Sequence, residues 1–125
     1  MFINLSNHPS KMWGEKQRNT AQIWGMIQDI PFPRIDPEFT DDALDKLVED
    51  YAGKIAAYRQ PETSEPFVVM VQGEFVFCYR MVTQLKKQGI KVVAAQSRRI
   101  VAETLDENGN YVKESHFEFV KFREY

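Results

Sequence analysis

The sequence predicts an α/β domain in which helices cover both faces of a mostly parallel sheet. Short apolar runs alternate along the chain with longer stretches whose apolar residues recur at helical spacing. The run at residues 67–71 is entirely apolar and contains two adjacent valines, as expected for an interior parallel strand that is buried on both faces. Near the carboxyl end, an Asn-Gly pair between two apolar runs indicates a β-hairpin.

The first half of the chain is expected to contain two strands and two helices. Residues 2–5 form a short opening strand, and a helix follows over about residues 12–24, with Ser10 as its expected N-cap. Residues 26–30 form the second strand and lead into a proline-rich extended loop. A threonine followed by two aspartates then starts the second helix, which spans about residues 40–58.

The second half adds two strands, a helix and the hairpin. The run at 67–71 is the third strand, a helix occupies about residues 73–89, and residues 90–95 form the fourth strand. The hairpin strands are expected over residues 100–105 and about 111–122. This order of elements is typical of a Rossmann-like domain, and right-handed crossovers place the parallel strands in the order 2-1-3-4.

Composition limits the classes of protein to consider. The 125 residues fit one domain spanning residues 1–125. Sixteen basic and eighteen acidic residues give a net charge of −2, which disfavours binding to duplex nucleic acid. Cys78 is the single cysteine, so no internal disulfide is possible. No run approaches the ~20 apolar residues that cross a bilayer, and no basic leader is recognisable, so we expect a cytoplasmic protein without a membrane partner.

Polar residues follow the first strand. The segment from Ser6 through Asn7 and His8 to Ser10 combines hydroxyl, amide and imidazole groups and leads into a helix N-terminus, which suits a phosphate or carboxylate. His8 is therefore a candidate general acid or base. The alternative is that Ser10 only caps the helix, Ser6 and Asn7 close a turn, and His8 is exposed.

A second polar group follows the third strand. Gln72 offers an amide that can bind a base edge or a ribose hydroxyl, and Gly73 permits close approach of a ligand to the backbone. The alternative is an ordinary helix start, with Gly73 in the turn and Glu74 interacting with the helix dipole. Because the strand order reverses between the first and third strands, both polar groups are expected at one crevice.

The segment Gln96-Ser97-Arg98-Arg99 is expected to form a turn after the fourth strand. In a turn, one of the two arginines could bind a phosphate, and Gln96 and Ser97 could add polar contacts. The alternative is a solvated bend that leads into the hairpin.

Several chemistries lack their motifs. The sequence has neither a GxGxxG fingerprint nor a Walker loop, and its two histidines and one cysteine show no metal-ligand spacing. We therefore expect no cofactor and no metal. Cys78 lies on the apolar side of its helix and is expected in the core rather than as a nucleophile.

Three segments carry a resemblance to a known group of proteins: the opening strand Phe2-Ile3-Asn4-Leu5 with its Ser/Asn/His loop, the strand Val68-Val69-Met70-Val71-Gln72-Gly73 before a helix, and the closing strand and hairpin over 93–125. In this layout the chain resembles the small CRISPR-associated Rossmann-fold (CARF) families and the CARF-like ring nucleases. The resemblance implies a homodimer that binds a cyclic oligoadenylate, a small nucleotide ligand, at a crevice between subunits. It also implies, for some members, metal-independent phosphodiesterase activity. In such an activity His8 would protonate the leaving oxygen.

Two other functions are open at this point. The aromatic residues over 111–125 suit a non-catalytic homo-oligomeric interaction module, because aromatic side chains often anchor interfaces. An enzyme acting on a small sugar phosphate or nucleoside would use the same crevice, although no pair of acid and base residues stands out in the sequence.

Overall fold

The structure is a computed structural model that describes all 125 residues, and it is a five-stranded sheet with helices on both faces. The strand order is β2-β1-β3-β4-β5; the first four strands are parallel and β5 is antiparallel to β4. The predicted fold class and central strand order are confirmed. The elements are β1 (Phe2–Ser6), α1 (Glu15–Gln22), β2 (Ile27–Pro31), α2 (Asp41–Ala56), β3 (Val68–Val71), α3 (Phe75–Lys87), β4 (Lys91–Leu105) and β5 (Tyr111–Glu124).

The two faces of the sheet are covered unequally. Alternating residues of a strand point to opposite faces, and those that share a face with Ile3 pack under α2 and α3 in a core of 16 buried residues. The face that includes Phe2 carries a smaller core of six, completed by Trp13 and by Ala21 of α1. Since α1 has only eight residues, it covers only part of this face.

The expected cap role of Ser10 is wrong. Residues Ser10–Met12 form a single 3₁₀ turn, and α1 begins only after Gly14, its N-cap residue. The physical reason is a distant partner, because both the N–H and the hydroxyl of Ser10 donate to the carboxylate of Asp29 on β2. The caps of the other two helices match the sequence patterns: Thr40 accepts from Ala43 N at 3.1 Å in α2, and the carboxylate of Glu74 caps α3.

The expected turn at residues 96–99 is also wrong. The fourth strand and the first hairpin strand are one continuous strand, β4, with a β-bulge between Gln96 and Ser97. Arg98 lies opposite Glu118 and Arg99 opposite Phe117, so β5 supplies a partner for each residue that the sequence placed in a turn. The two arginines therefore point to opposite faces of a strand.

The far end of this hairpin leaves the body of the domain. β3 ends at Val71, one residue beyond the Met70–Val93 pair, and β4 beyond that point pairs only with β5. We call residues 97–119 the arm; at ~3.3 Å per residue its strands extend roughly 30 Å. The predicted turn at its tip is confirmed, with Gly109 in the left-handed region at φ 78°.

Candidate functional site

A cleft of about 860 Å³ opens where β1 and β3 end, on the face that α1 covers only in part. Its floor contains Ser6, Met70, Gln72 and Ala95 from the sheet, and residues 12–17 form one wall. The opposite wall is the base of the arm, with Phe117 and Phe119. The cleft thus lies at the switch point between β1 and β3, where α/β sheets bind ligands.

A network of hydrogen bonds lies beneath the loop that follows β1. Asn4 Nδ2 donates to Asp29 Oδ1 at 2.8 Å and to the carbonyl of His8 at 2.9 Å. Ser6 Oγ donates to Asn4 Oδ1 at 2.7 Å and accepts from His8 N at 3.2 Å. Ser10 completes the network, because its Oγ and N each donate to Asp29 Oδ2, at 3.0 and 3.1 Å. The loop is therefore tied to both β1 and β2 by side chains.

Sequence reasoning missed Asn4 and Asp29. Asn4 is 1% exposed, and a buried polar side chain is stable only when its groups are hydrogen-bonded. The sequence did contain a signal for Asn4, because a polar amide residue interrupts an otherwise apolar strand. Asp29 gave a weaker signal, because nothing in the local sequence connects it with a loop 19 residues earlier.

His8 has a rigid backbone and a free side chain. Its carbonyl accepts from Asn4 Nδ2 and from Trp13 Nε1 at 3.0 Å. The side chain lines the cleft, His8 as a whole is exposed, and the imidazole makes no hydrogen bond within the chain. A fixed backbone with an unengaged imidazole is an arrangement suited to ligand contact or proton transfer.

Gln72 and Gly73 have distinct structural roles. Gln72 Oε1 accepts from Ala95 N at 2.6 Å, so the side chain continues the sheet where β3 has ended, while Gln72 also lines the cleft. A Cβ on Gly73 would lie only 2.3 Å from the Phe32 ring. Gly73 therefore accommodates a side chain of the core, and it does not line the cleft.

The structure brings some of the predicted site residues together and leaves others out. Four of them line the cleft: Ser6, His8, Gln72 and Ser97. Six lie outside its lining: Asn7, Ser10, Gly73, Gln96, Arg98 and Arg99.

The walls of the cleft add groups that the sequence did not single out. Gly14 provides no side-chain acceptor for α1, so the N–H groups of the first turn lack a cap, and the residues of that turn line the cleft. Lys16 is the only lysine or arginine in the lining, which also contains its sequence neighbour Glu15. Glu118 borders the cleft as well, but its carboxylate lies on the reverse face of the arm, 3.7 Å from His116. Aromatic surface comes from both walls, from Trp13 and from the two phenylalanines of the arm.

Cys78 is in the core, as predicted. It is 8% exposed and belongs to the larger cluster. Burial, with a smaller effect of the Glu74 charge, raises the pKa of the Cys78 thiol to about 11. A thiol of this kind is protonated at neutral pH and is a poor nucleophile.

The structure contains no group of three or more His, Cys, Asp and Glu side chains that could hold a metal ion. Among its helices, none has the length and apolar character needed to cross a membrane.

Comparison with known proteins gives one match. No curated protein and no solved structure matches the sequence. The family model described as the uncharacterized protein MJ1673 family matches residues 1–123, which is nearly the whole chain. The chain therefore belongs to the MJ1673 family.

Proposed function

We propose that the protein binds a nucleotide in the cleft between α1 and the arm. The observation that carries the proposal is the cleft itself. Its volume of about 860 Å³ falls within the ~300–1,000 Å³ typical of small-molecule sites. It combines aromatic surface, uncapped backbone N–H groups and neutral polar side chains at the switch point of the sheet, and these are the groups that bind a base, a phosphate and a sugar.

The charges around the cleft favour a particular class of nucleotide. Lys16 is balanced by the neighbouring Glu15, so the lining carries no excess of positive charge to balance a triphosphate. Backbone N–H groups at a helix N-terminus can hold a phosphate without a full opposing charge. A phosphodiester or monophosphate, with fewer charges per nucleotide, suits this lining better than a nucleoside triphosphate.

The proposed binding mode assigns one part of the nucleotide to each region of the cleft. The phosphate lies against the first turn of α1 near Lys16, and the base lies on the aromatic surface of Phe119, since base–aromatic stacking contributes ~1–3 kcal/mol per base. The amide of Gln72 and the hydroxyl of Ser97 are within the same lining and bind the sugar hydroxyls or the base edge.

A cyclic oligoadenylate is the specific ligand to test first, because it is built from phosphodiesters and is implied by the resemblance to the CARF families. Its cleavage would need no metal. The ribose 2′-oxygen attacks the adjacent phosphorus, the bond from phosphorus to the 5′-oxygen breaks, and the imidazolium of His8 gives its proton to that oxygen while the 2′-hydroxyl proton passes to solvent. The products are a 2′,3′-cyclic phosphate and a 5′-hydroxyl.

The test is a thermal-shift titration of purified protein with cyclic oligoadenylates, linear oligoadenylates, AMP and ATP, followed by product analysis for the ligands that bind. A ligand at a hundred times its Kd stabilises the folded state by about 2.7 kcal/mol. We expect a shift with at least one phosphodiester ligand and a smaller one with ATP. No shift with any nucleotide would refute the proposal.

Two variants in the same loop separate ligand contact from loop structure. His8→Ala removes a side chain of the cleft, whereas Asn7→Ala removes an exposed neighbour outside it. We expect His8→Ala to weaken binding or stop cleavage and Asn7→Ala to behave as the wild type. Equal effects of the two variants would contradict the assigned role of His8.

A further inference from the structure

The arm is a two-stranded ribbon with no support from the rest of the sheet. Its strands pair only with each other, and between Ser97 and Glu118 every residue of both strands except Ile100 is exposed. An isolated two-stranded hairpin is at best marginally stable in water. A ribbon of this length therefore gains stability from any partner that covers one of its faces.

The two faces of the arm differ in character. Residues opposite each other in the ladder share a face, and one face is continuous with the cleft through Ser97 and Phe119. Farther out, that face carries four apolar residues that are 55–79% exposed: Val101, Leu105, Tyr111 and Phe117. The reverse face is more polar, with Arg98 opposite Glu118 and His116 opposite Ile100.

We propose that a second copy of this chain packs against the apolar face of the arm. A two-fold axis that lies between the two faces and runs across the strands aligns the two arms antiparallel, so that the base of each arm lies over the tip of the other. Phe117, near the base, then packs on the partner's Leu105 and the partner's Tyr111. The contact is isologous, because the same surface serves both copies.

The exposed area fits a dimer interface. The face and the rim of the cleft together offer five exposed apolar side chains: Val101, Leu105, Tyr111, Phe117 and Met12, which is 75% exposed. Since one fully buried aromatic side chain contributes about 150–250 Å², covering all five buries roughly 600 Å² of side-chain surface per copy. A standard interface buries about 800 Å² per partner. The other side chains of the same face, among them Arg99 and Ser115, supply much of the difference.

The charges on this face do not oppose self-association. Glu103 and Lys113 lie opposite each other in the ladder and form an ion pair of 3.8 Å. The remaining charge is Arg99, opposite Phe117, and in the antiparallel arrangement it lies over the partner's Leu105, from which its guanidinium reaches the neighbouring ring of the partner's Tyr111. A guanidinium over an aromatic ring is favourable. Because this inference rests on the exposed apolar residues of the arm and on Met12, it does not depend on nucleotide binding.

Two lysine substitutions at adjacent positions test the proposal. Leu105→Lys places a charge on the apolar face, and Thr104→Lys places the same charge on the reverse face at the same distance from the sheet. Sedimentation equilibrium of the full chain should give twice 14.6 kDa for the wild type and Thr104→Lys and the single-chain mass for Leu105→Lys. Circular dichroism should show all three folded, because both positions are exposed.

A wild type that stays at the single-chain mass at the highest attainable concentration would overturn the proposal. Dissociation by both substitutions, or by neither, would also overturn it, because the interface would then not use the apolar face.

Discussion

Replacing Gly73 by alanine should destabilise the protein through a steric conflict in the core. A Cβ at this position would lie 2.3–2.7 Å from three carbons of the Phe32 ring, much closer than the ~3.5–4.0 Å of favourable carbon contacts. Gly73 has no positive φ, so alanine introduces no backbone strain. The whole effect should come from displacing the ring.

The ring is half-buried and is held on its core side. Phe32 packs edge-on against Phe77, with centroids 5.2 Å apart, and Phe77 is fully buried. Overpacking a well-packed core destabilises a protein by about 1–3 kcal/mol. For a domain of this size, 1 kcal/mol lowers Tm by about 4 °C, so we expect Tm to fall by roughly 4–12 °C.

Two comparisons isolate the cause. Gly53 lies inside α2, and a Cβ added there would have no other atom within 4 Å, so Gly53→Ala should stabilise the protein by about 0.5–1 kcal/mol. In a Phe32→Ala background, Gly73→Ala should destabilise little, because the clashing ring is gone. Thermal and urea unfolding measure all the variants. An unchanged Tm in Gly73→Ala, or the same loss with and without Phe32, would refute the steric explanation.

Three further predictions concern local contacts. Asp29→Ala should lower the free energy of unfolding by about 2 kcal/mol, because the N–H and hydroxyl of Ser10 lose their acceptor; an unchanged urea midpoint would contradict this. Thr40→Ala should lower it by about 1 kcal/mol through loss of the bond from Ala43 N, and Thr40→Ser should retain most of the stability. The folded pKa of Cys78, about 11, lies above its ordinary 9.0, so the unfolded thiol ionises first and stability should fall as pH rises from about 9 to about 11. That fall should be smaller in Cys78→Ala than in the wild type, and an identical pH profile would count against the raised pKa.

Local patterns were sufficient for much of the fold. The apolar run that became β3 is buried at every position, and the Thr-Asp-Asp start of α2 is capped as its sequence predicts. The strand order followed from the right-handedness of βαβ connections, which holds for nearly any chain. These features depend on residues close in sequence or on general topology.

The errors arose where a distant partner decides the local structure. Ser10 has the chemistry of an N-cap, but Asp29 on β2 takes both of its donors. The segment at residues 96–99 resembles a turn, but pairing with β5 keeps it extended. The cleft depends on the same long-range pairing, because β5 brings Phe117 to the wall opposite α1.

Binding of a nucleotide in the cleft is measured by mapping amide chemical shifts in NMR spectra. Titration of labelled protein with a cyclic oligoadenylate, with AMP as the comparison, should shift the amides of Lys16, Gln17, Gln72 and Ser97, which line the cleft. Amides of α2, on the opposite face of the sheet, should stay in place. Amide shifts confined to α2, or no shifts with either nucleotide, would contradict nucleotide binding in the cleft.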